Sequence, residues 1–94
     1  MDEDGIVIYP GNMAAQLQLA MDNAEAVLNL AGYTLGNTVR LNIFTTDIAL
    51  LLAEWTPCGD RLSEAGCAPA SSLFGVTQLA HPDMLVEIEI TAAK

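Results

Sequence analysis

PASSLFGVTQLAHPDMLVEIEIT, residues 69–91, reads as two short strands joined by a turn, and the rest of the chain is arranged by what those strands need. In the second of them Met84, Val86, Ile88 and Ile90 share one face while Leu85, Glu87, Glu89 and Thr91 share the other, because strand side chains alternate. A strand apolar on both faces is buried between two helical layers. This one asks for helices on one face and leaves a charged face to be accounted for.

Working back from residue 69, the chain supplies those helices. Asp4-Gly5 is a turn signal and Ile6–Tyr9 a short strand rich in β-branched residues, closed by Pro10-Gly11. Asn12 is placed to cap a helix over Met13–Ala31, whose apolar positions Met13, Leu17, Ala20, Met21, Ala24, Val27, Leu28 and Ala31 form one stripe, with Gln16, Asp22, Asn23, Glu25 and Asn29 outside it. Gly32 stands where a left-handed terminating residue is expected. Val39–Thr46 alternates again, with Val39, Leu41 and Ile43 on one face and Arg40, Asn42 and Phe44 on the other, either solvated or turned to a pocket or a neighbouring subunit.

A second helix follows, capped by Thr45 or Thr46, with Asp47 in its first turn and Ile48, Leu51, Leu52 and Trp55 as its buried stripe. Pro57 either kinks it or restarts it with Thr56 as cap, and Gly66 ends it. The order strand, helix, strand, helix, strand, strand is an α+β arrangement with two helices on one face of a single sheet. An uncovered sheet face predicts an oligomer.

Composition narrows the functions. Ninety-four residues make a single domain at most, and Lys plus Arg total 3 against 12 Asp and Glu, a net charge of −9 that argues against binding nucleic acid through its phosphates. No run is apolar enough to span a membrane, and the acidic start Met1-Asp2-Glu3-Asp4 is unlike a basic leader, so the cytoplasm is the expected location. Cys58, Cys67 and His81 have no metal-ligand spacing, and the two cysteines read as ordinary half-buried thiols rather than a disulfide. No metal and no cofactor is expected. His81, in the turn Ala80-His81-Pro82-Asp83, reads as an exposed turn residue.

Three stretches together resemble the RidA/YjgF family: DGIVIYPGNMAAQLQLAMDNAEAVLNLAG, VRLNIFTTD and, most specifically, PASSLFGVTQLAHPDMLVEIEITA. The resemblance implies a chorismate-mutase-like fold, a homotrimer and a small-molecule ligand in a cleft between subunits. It also implies hydrolysis of a reactive enamine or imine, with Glu87 positioning or deprotonating a water, and ligand contacts from Ser71 and Arg40. Two departures stand out. Ser71 occupies the place of the arginine that pairs with the substrate carboxylate in deaminating members, and a hydroxyl cannot reproduce a bidentate guanidinium contact. The family's two N-terminal strands and a Ser-Gly-Gln loop are also expected to be missing, which would leave sheet edges for another chain to pair. The alternative is therefore a non-catalytic binding or regulatory trimer, with Glu87 and Glu89 on a solvated or interface surface.

Overall fold

The computed structural model describes residues 9–94, so the strand expected at Ile6–Tyr9 lies, Tyr9 apart, outside the described residues. The first helix, α1, spans Met13–Leu30, and Asn12 caps it as its spacing predicts, its Oδ1 accepting from the Ala15 N–H at 3.0 Å. Gly32 ends it at φ 86°, with the Tyr33 N–H donating to the Leu28 carbonyl at 2.8 Å and the Gly32 N–H to Asn29 at 3.1 Å. Those bonds satisfy carbonyls the last turn leaves free, and a residue with a Cβ would strain there.

Strand β1 is Thr38–Thr45, followed by α2 (Ile48–Glu54), α3 (Thr56–Glu64), β2 (Ala70–Gly75) and β3 (Val86–Ala92). The expected second helix is thus broken at Pro57, which sits in the first turn of α3 where its missing N–H costs nothing; Trp55, not Thr56, is the capping position. Nor does Thr45 or Thr46 cap α2. Asp47 does, its Oδ1 accepting from the Leu50 N–H at 3.0 Å. Thr45 is fully buried and otherwise engaged, donating to the Leu85 carbonyl at 2.7 Å and accepting from the Asp47 N–H at 3.1 Å.

The largest correction concerns residues 69–91. β2 and β3 do not pair with one another; the sheet order is β2-β1-β3, with β1 parallel to β2 and antiparallel to β3. The connection between them crosses the end of β1, where the Val76 N–H donates to Thr45 at 2.9 Å and the Thr46 N–H to Leu85 at 3.2 Å. Alternation within each strand was informative about faces but silent about neighbours. The parallel β1–β2 pair needs a crossover, and α2 and α3 supply it.

The helices lie on one face of the sheet, where Leu17, Met21, Leu41, Leu51 and Cys58 are almost wholly buried together with Ile43, Leu62 and Val86. Five expected core positions fall outside, Ala31 among them because it lies just past the end of α1. A bulge between Thr38 and Arg40 shifts the alternation, so Thr38 is buried and Val39 exposed. Ile48 and Leu52 are exposed because short α2 turns only Leu51 fully inward. Val27 is exposed because nothing among the described residues covers the flank of α1 beside β3. Among the described residues no helix is long and apolar enough to cross a membrane.

Candidate functional site

Register decides which side chains meet on the helix-free face. Arg40, Asn42 and Phe44 of β1 stand opposite Ala70, Ser72 and Phe74 of β2 and opposite Thr91, Glu89 and Glu87 of β3. Residues paired across strands share a face. The open face is therefore a patch of Arg40, Asn42, Phe44, Phe74, Glu87 and Glu89. The Phe44 and Phe74 rings stack with centroids 5.1 Å apart and planes 16° from parallel, giving the patch an apolar floor next to the Glu87 carboxylate. Beside it the Oδ1 of Asn42 is buried and, among the described residues, receives no hydrogen bond. A buried acceptor without a donor carries a desolvation cost that an added N–H or O–H would remove.

Glu87 and Arg40 thus share one face, as alternation predicts. Ser71 does not join them. It stands opposite Leu41, on the helix side of the sheet, and its hydroxyl donates to the Pro69 carbonyl at 3.2 Å, the backbone-satisfied arrangement common for a serine at a strand start. Phe74 was the member that sequence reasoning left unweighted, whereas alternation within β1 places Asn42 on this face with Arg40 and Phe44. The alternation of Ser72 and Phe74 carried the signal, but only the pairing with β1 brings Phe74 to Phe44.

Gln16 anchors the arrangement, although the helical stripe left it on the polar side. It is buried, its Nε2 donating to the carbonyls of Tyr9 at 3.1 Å and Asp83 at 2.9 Å while its Oε1 accepts from the Leu85 N–H at 2.8 Å. One side chain therefore satisfies three backbone groups, two of them at the entry to β3, just before Glu87, and the third in the turn before α1. The turn before it is closed by the Asp83 N–H donating to Nδ1 of His81 at 3.1 Å, which leaves His81 a turn residue.

A second concavity, of roughly 400 Å³, lies between α1 and the outer side of β3. Leu19, Ala20, Val27 and Leu28 form one wall and Val86, Ile88 and Ile90 the other, with Glu87 at the rim. It is mainly apolar, with Gln16 and Asn23 also in its lining, and periodicity alone gave no hint of it.

Arg61 of α3 reaches Asp22 at 2.7 Å and Glu25 at 3.0 Å on α1. Cys58 and Cys67 are free thiols, Cys58 buried. Burial pushes the Cys58 thiol above its ordinary value, an effect that the nearby Arg61 cation partly offsets. Among the described residues no group of three or more His, Cys, Asp or Glu could hold a metal ion.

Comparison with known proteins agrees with this architecture. The sequence model of the family described as "Endoribonuclease L-PSP" matches residues 1–94. The mitochondrial protein mmf2 of Schizosaccharomyces pombe is 32% identical over 85 residues, covering 90% of this chain and 68% of that protein. Among solved structures, Rv2704 of Mycobacterium tuberculosis, described as a member of the YjgF/YER057c/UK114 family, is 34% identical with a TM-score of 0.78, over 86% of this chain and 67% of its own. The YjgF gene product of Escherichia coli is 28% identical with a TM-score of 0.81, over 90% and 67%.

Proposed function

Because this chain belongs to the RidA/YjgF family, with its chorismate-mutase-like fold, we propose that it hydrolyses a reactive enamine or imine at the open face of its sheet, in a cleft completed by another subunit of a homotrimer. The observation that carries this reading is the grouping of Glu87 with the Phe44–Phe74 stack and the donor-seeking Asn42 on a face no helix covers. An apolar floor, a carboxylate and an unmet acceptor suit a small planar molecule bearing N–H groups. Arg40, on the same face, is the cation available to a ligand carboxylate.

In this reading an enamine first tautomerises to the imine. Glu87 takes a proton from water as the water oxygen bonds to the imine carbon and the C=N electron pair moves to nitrogen, which is protonated. The resulting carbinolamine loses ammonia as its hydroxyl proton is withdrawn, leaving the carbonyl product. One water is consumed and one ammonia released. Exclusion of bulk water by a second subunit would let the exposed Glu87 work in a sheltered site.

Mixing the purified protein with an imine freshly made by an amino-acid oxidase tests this. The expected result is faster decay of the imine than in buffer, reduced on the order of 100-fold or more in Glu87→Gln. Light scattering should report three chains. A monomer, or no rate above buffer with several imines, would overturn the proposal.

The placement of Ser71 favours a second reading, a binding or regulatory trimer without catalysis, since no guanidinium stands at that position and its hydroxyl is already engaged. Retained ligand binding at Glu87 without turnover would select it. The nuclease activity in the family description is the less favoured reading for this chain: its net charge is −9, and Arg61, one of 3 cations, is held by two carboxylates. We further read residues 1–94 as lying in one domain, acting in the cytoplasm, although mmf2 is mitochondrial.

A further inference from the structure

The ends of a strand are where its ladder opens most easily, and Glu87 is the second residue of β3. Continued one step past the strand, the register pairs Thr46 with Leu85, and that pair is only half made. The Thr46 N–H donates to the Leu85 carbonyl at 3.2 Å, whereas the Leu85 N–H turns away and donates to Oε1 of Gln16 at 2.8 Å. The same carbonyl takes a second, shorter bond from the Thr45 hydroxyl at 2.7 Å. Two buried side chains, one from α1 and one from the end of β1, therefore hold both backbone groups of the residue that leads into β3.

Each of those side chains is itself held. Gln16 directs its Nε2 to the carbonyls of Tyr9 at 3.1 Å and Asp83 at 2.9 Å. Oγ1 of Thr45 accepts from the Asp47 N–H at 3.1 Å while it donates to Leu85, so one hydroxyl joins the entry of β3 to the start of α2. A hydroxyl that donates and accepts at once strengthens both bonds. Thr45 is fully buried, and a valine would fill the same space without an oxygen to satisfy, so what the threonine adds is its hold on Leu85. At the far end of β3 the corresponding tie is a backbone bond, from the Ala93 N–H to the Asn37 carbonyl at 3.0 Å. The side-chain reinforcement lies at the end that carries Glu87.

We propose that Thr45 and Gln16 are positioning residues for Glu87: by stapling the Leu85 peptide they keep the opening residues of β3 on the ladder and the Glu87 carboxylate beside the Phe44–Phe74 stack. The consequence for catalysis rests on the hydrolysis proposed above; the hold on the strand does not. Neither side chain reaches the open face, since both are buried on the helical side of the sheet. The aromatic floor stays in place when the hold is loosened, so the loss falls on turnover rather than on binding.

The test compares the native protein with Thr45→Val, which keeps the volume, and Thr45→Ser, which keeps the hydroxyl, each corrected for its folded fraction by circular dichroism. With an imine made by an amino-acid oxidase, Thr45→Val should lower kcat by about tenfold while KM stays within about twofold, and Thr45→Ser should recover most of that loss. In the isotope-labelled chain Thr45→Val should weaken the nuclear Overhauser contact between the Glu87 side chain and the Phe44 ring, and should speed exchange of the Glu87 amide more than that of Glu89. An unchanged kcat per folded chain in Thr45→Val overturns the proposal, as does a Thr45→Ser protein as impaired as Thr45→Val. Should Thr45→Val not fold, Gln16→Leu is read by the same contact and the same two amides, and an undisturbed Glu87 in it overturns the proposal. If the native protein hydrolyses no imine, the reaction reading fails on its own, and the contact and the amides alone decide whether Thr45 and Gln16 position Glu87.

Discussion

The two faces of β1 and β3 have the same alternating sequence logic and opposite fates. On one, Leu41, Ile43, Thr45 and Val86 lie beneath the helices and are nearly or fully buried; on the other, Phe74 and the carboxylates stay exposed and Asn42 lacks a donor. The difference lies in what packs above each face, not in the strands themselves. Stability is concentrated on the covered face, which leaves the other free to be specialised for a ligand or a second subunit. Leu41→Ala should cost about 2–5 kcal/mol of unfolding free energy, because Leu41 is wholly enclosed and its removal leaves a cavity. Phe44→Ala should cost only about 0.5–1.5 kcal/mol through its stack with Phe74. Urea denaturation at low protein concentration measures both, and equal losses would break the comparison. A Phe44→Ala loss that grows with protein concentration would sharpen it, locating a partner on the open face.

Gln16 lies where the two faces depend on one another, since it is part of the helical layer yet fixes the entry to the strand that carries Glu87. Replacing it with leucine would fill the space while leaving the Asp83 carbonyl and Leu85 N–H without their partner, a cost of about 1–3 kcal/mol. Faster exchange of the Leu85 amide, with the amides of α1 unchanged, would show that the damage is confined to the approach to β3. A uniform loss of protection would mean that the two faces are less separable than the packing implies.

The parts of this molecule legible in its sequence are those governed by local rules. Asn12 and Gly32 bracket α1 because capping and left-handed termination depend on a few neighbouring residues, and Glu87 and Glu89 share a face because pleating fixes that within one strand. What was not legible required distant pairing. Residues 69–91 read as a hairpin because adjacency in sequence is the usual guide, yet the connection 76–85 carries the chain past the end of β1, and no periodicity records which strand becomes central. Val39 moved faces through a single bulge. Gln16 gave no signal because its partners Asp83 and Leu85 meet it only in the folded chain. Arg40 and Glu87 share the open face, four residues apart along the strands, and Ser71 does not, for the same reason of register.

The smallest expected effect lies in the helical layer itself, at Cys58. Burial raises its thiol above the ordinary value of 9.0, and the positive Arg61 acts in the opposite direction. In the folded chain the proton is therefore held to a higher pH than in the unfolded one, so this contribution to stability is fully present below pH 9.0 and is lost as pH rises through the folded value. Comparing urea midpoints of the native protein and Cys58→Ala should show a gap that is constant near neutrality and narrows in alkali. Arg61→Met removes the one influence that favours the thiolate, and with it the contacts to Asp22 and Glu25, which as a partly exposed pair of bridges are worth up to about 1 kcal/mol. In that variant the narrowing should begin at the same pH, set by the unfolded chain, and continue further into alkali. A gap that instead stays constant as pH rises would mean that Cys58 meets water, and that the helical layer is less closed than the covered face beneath it requires.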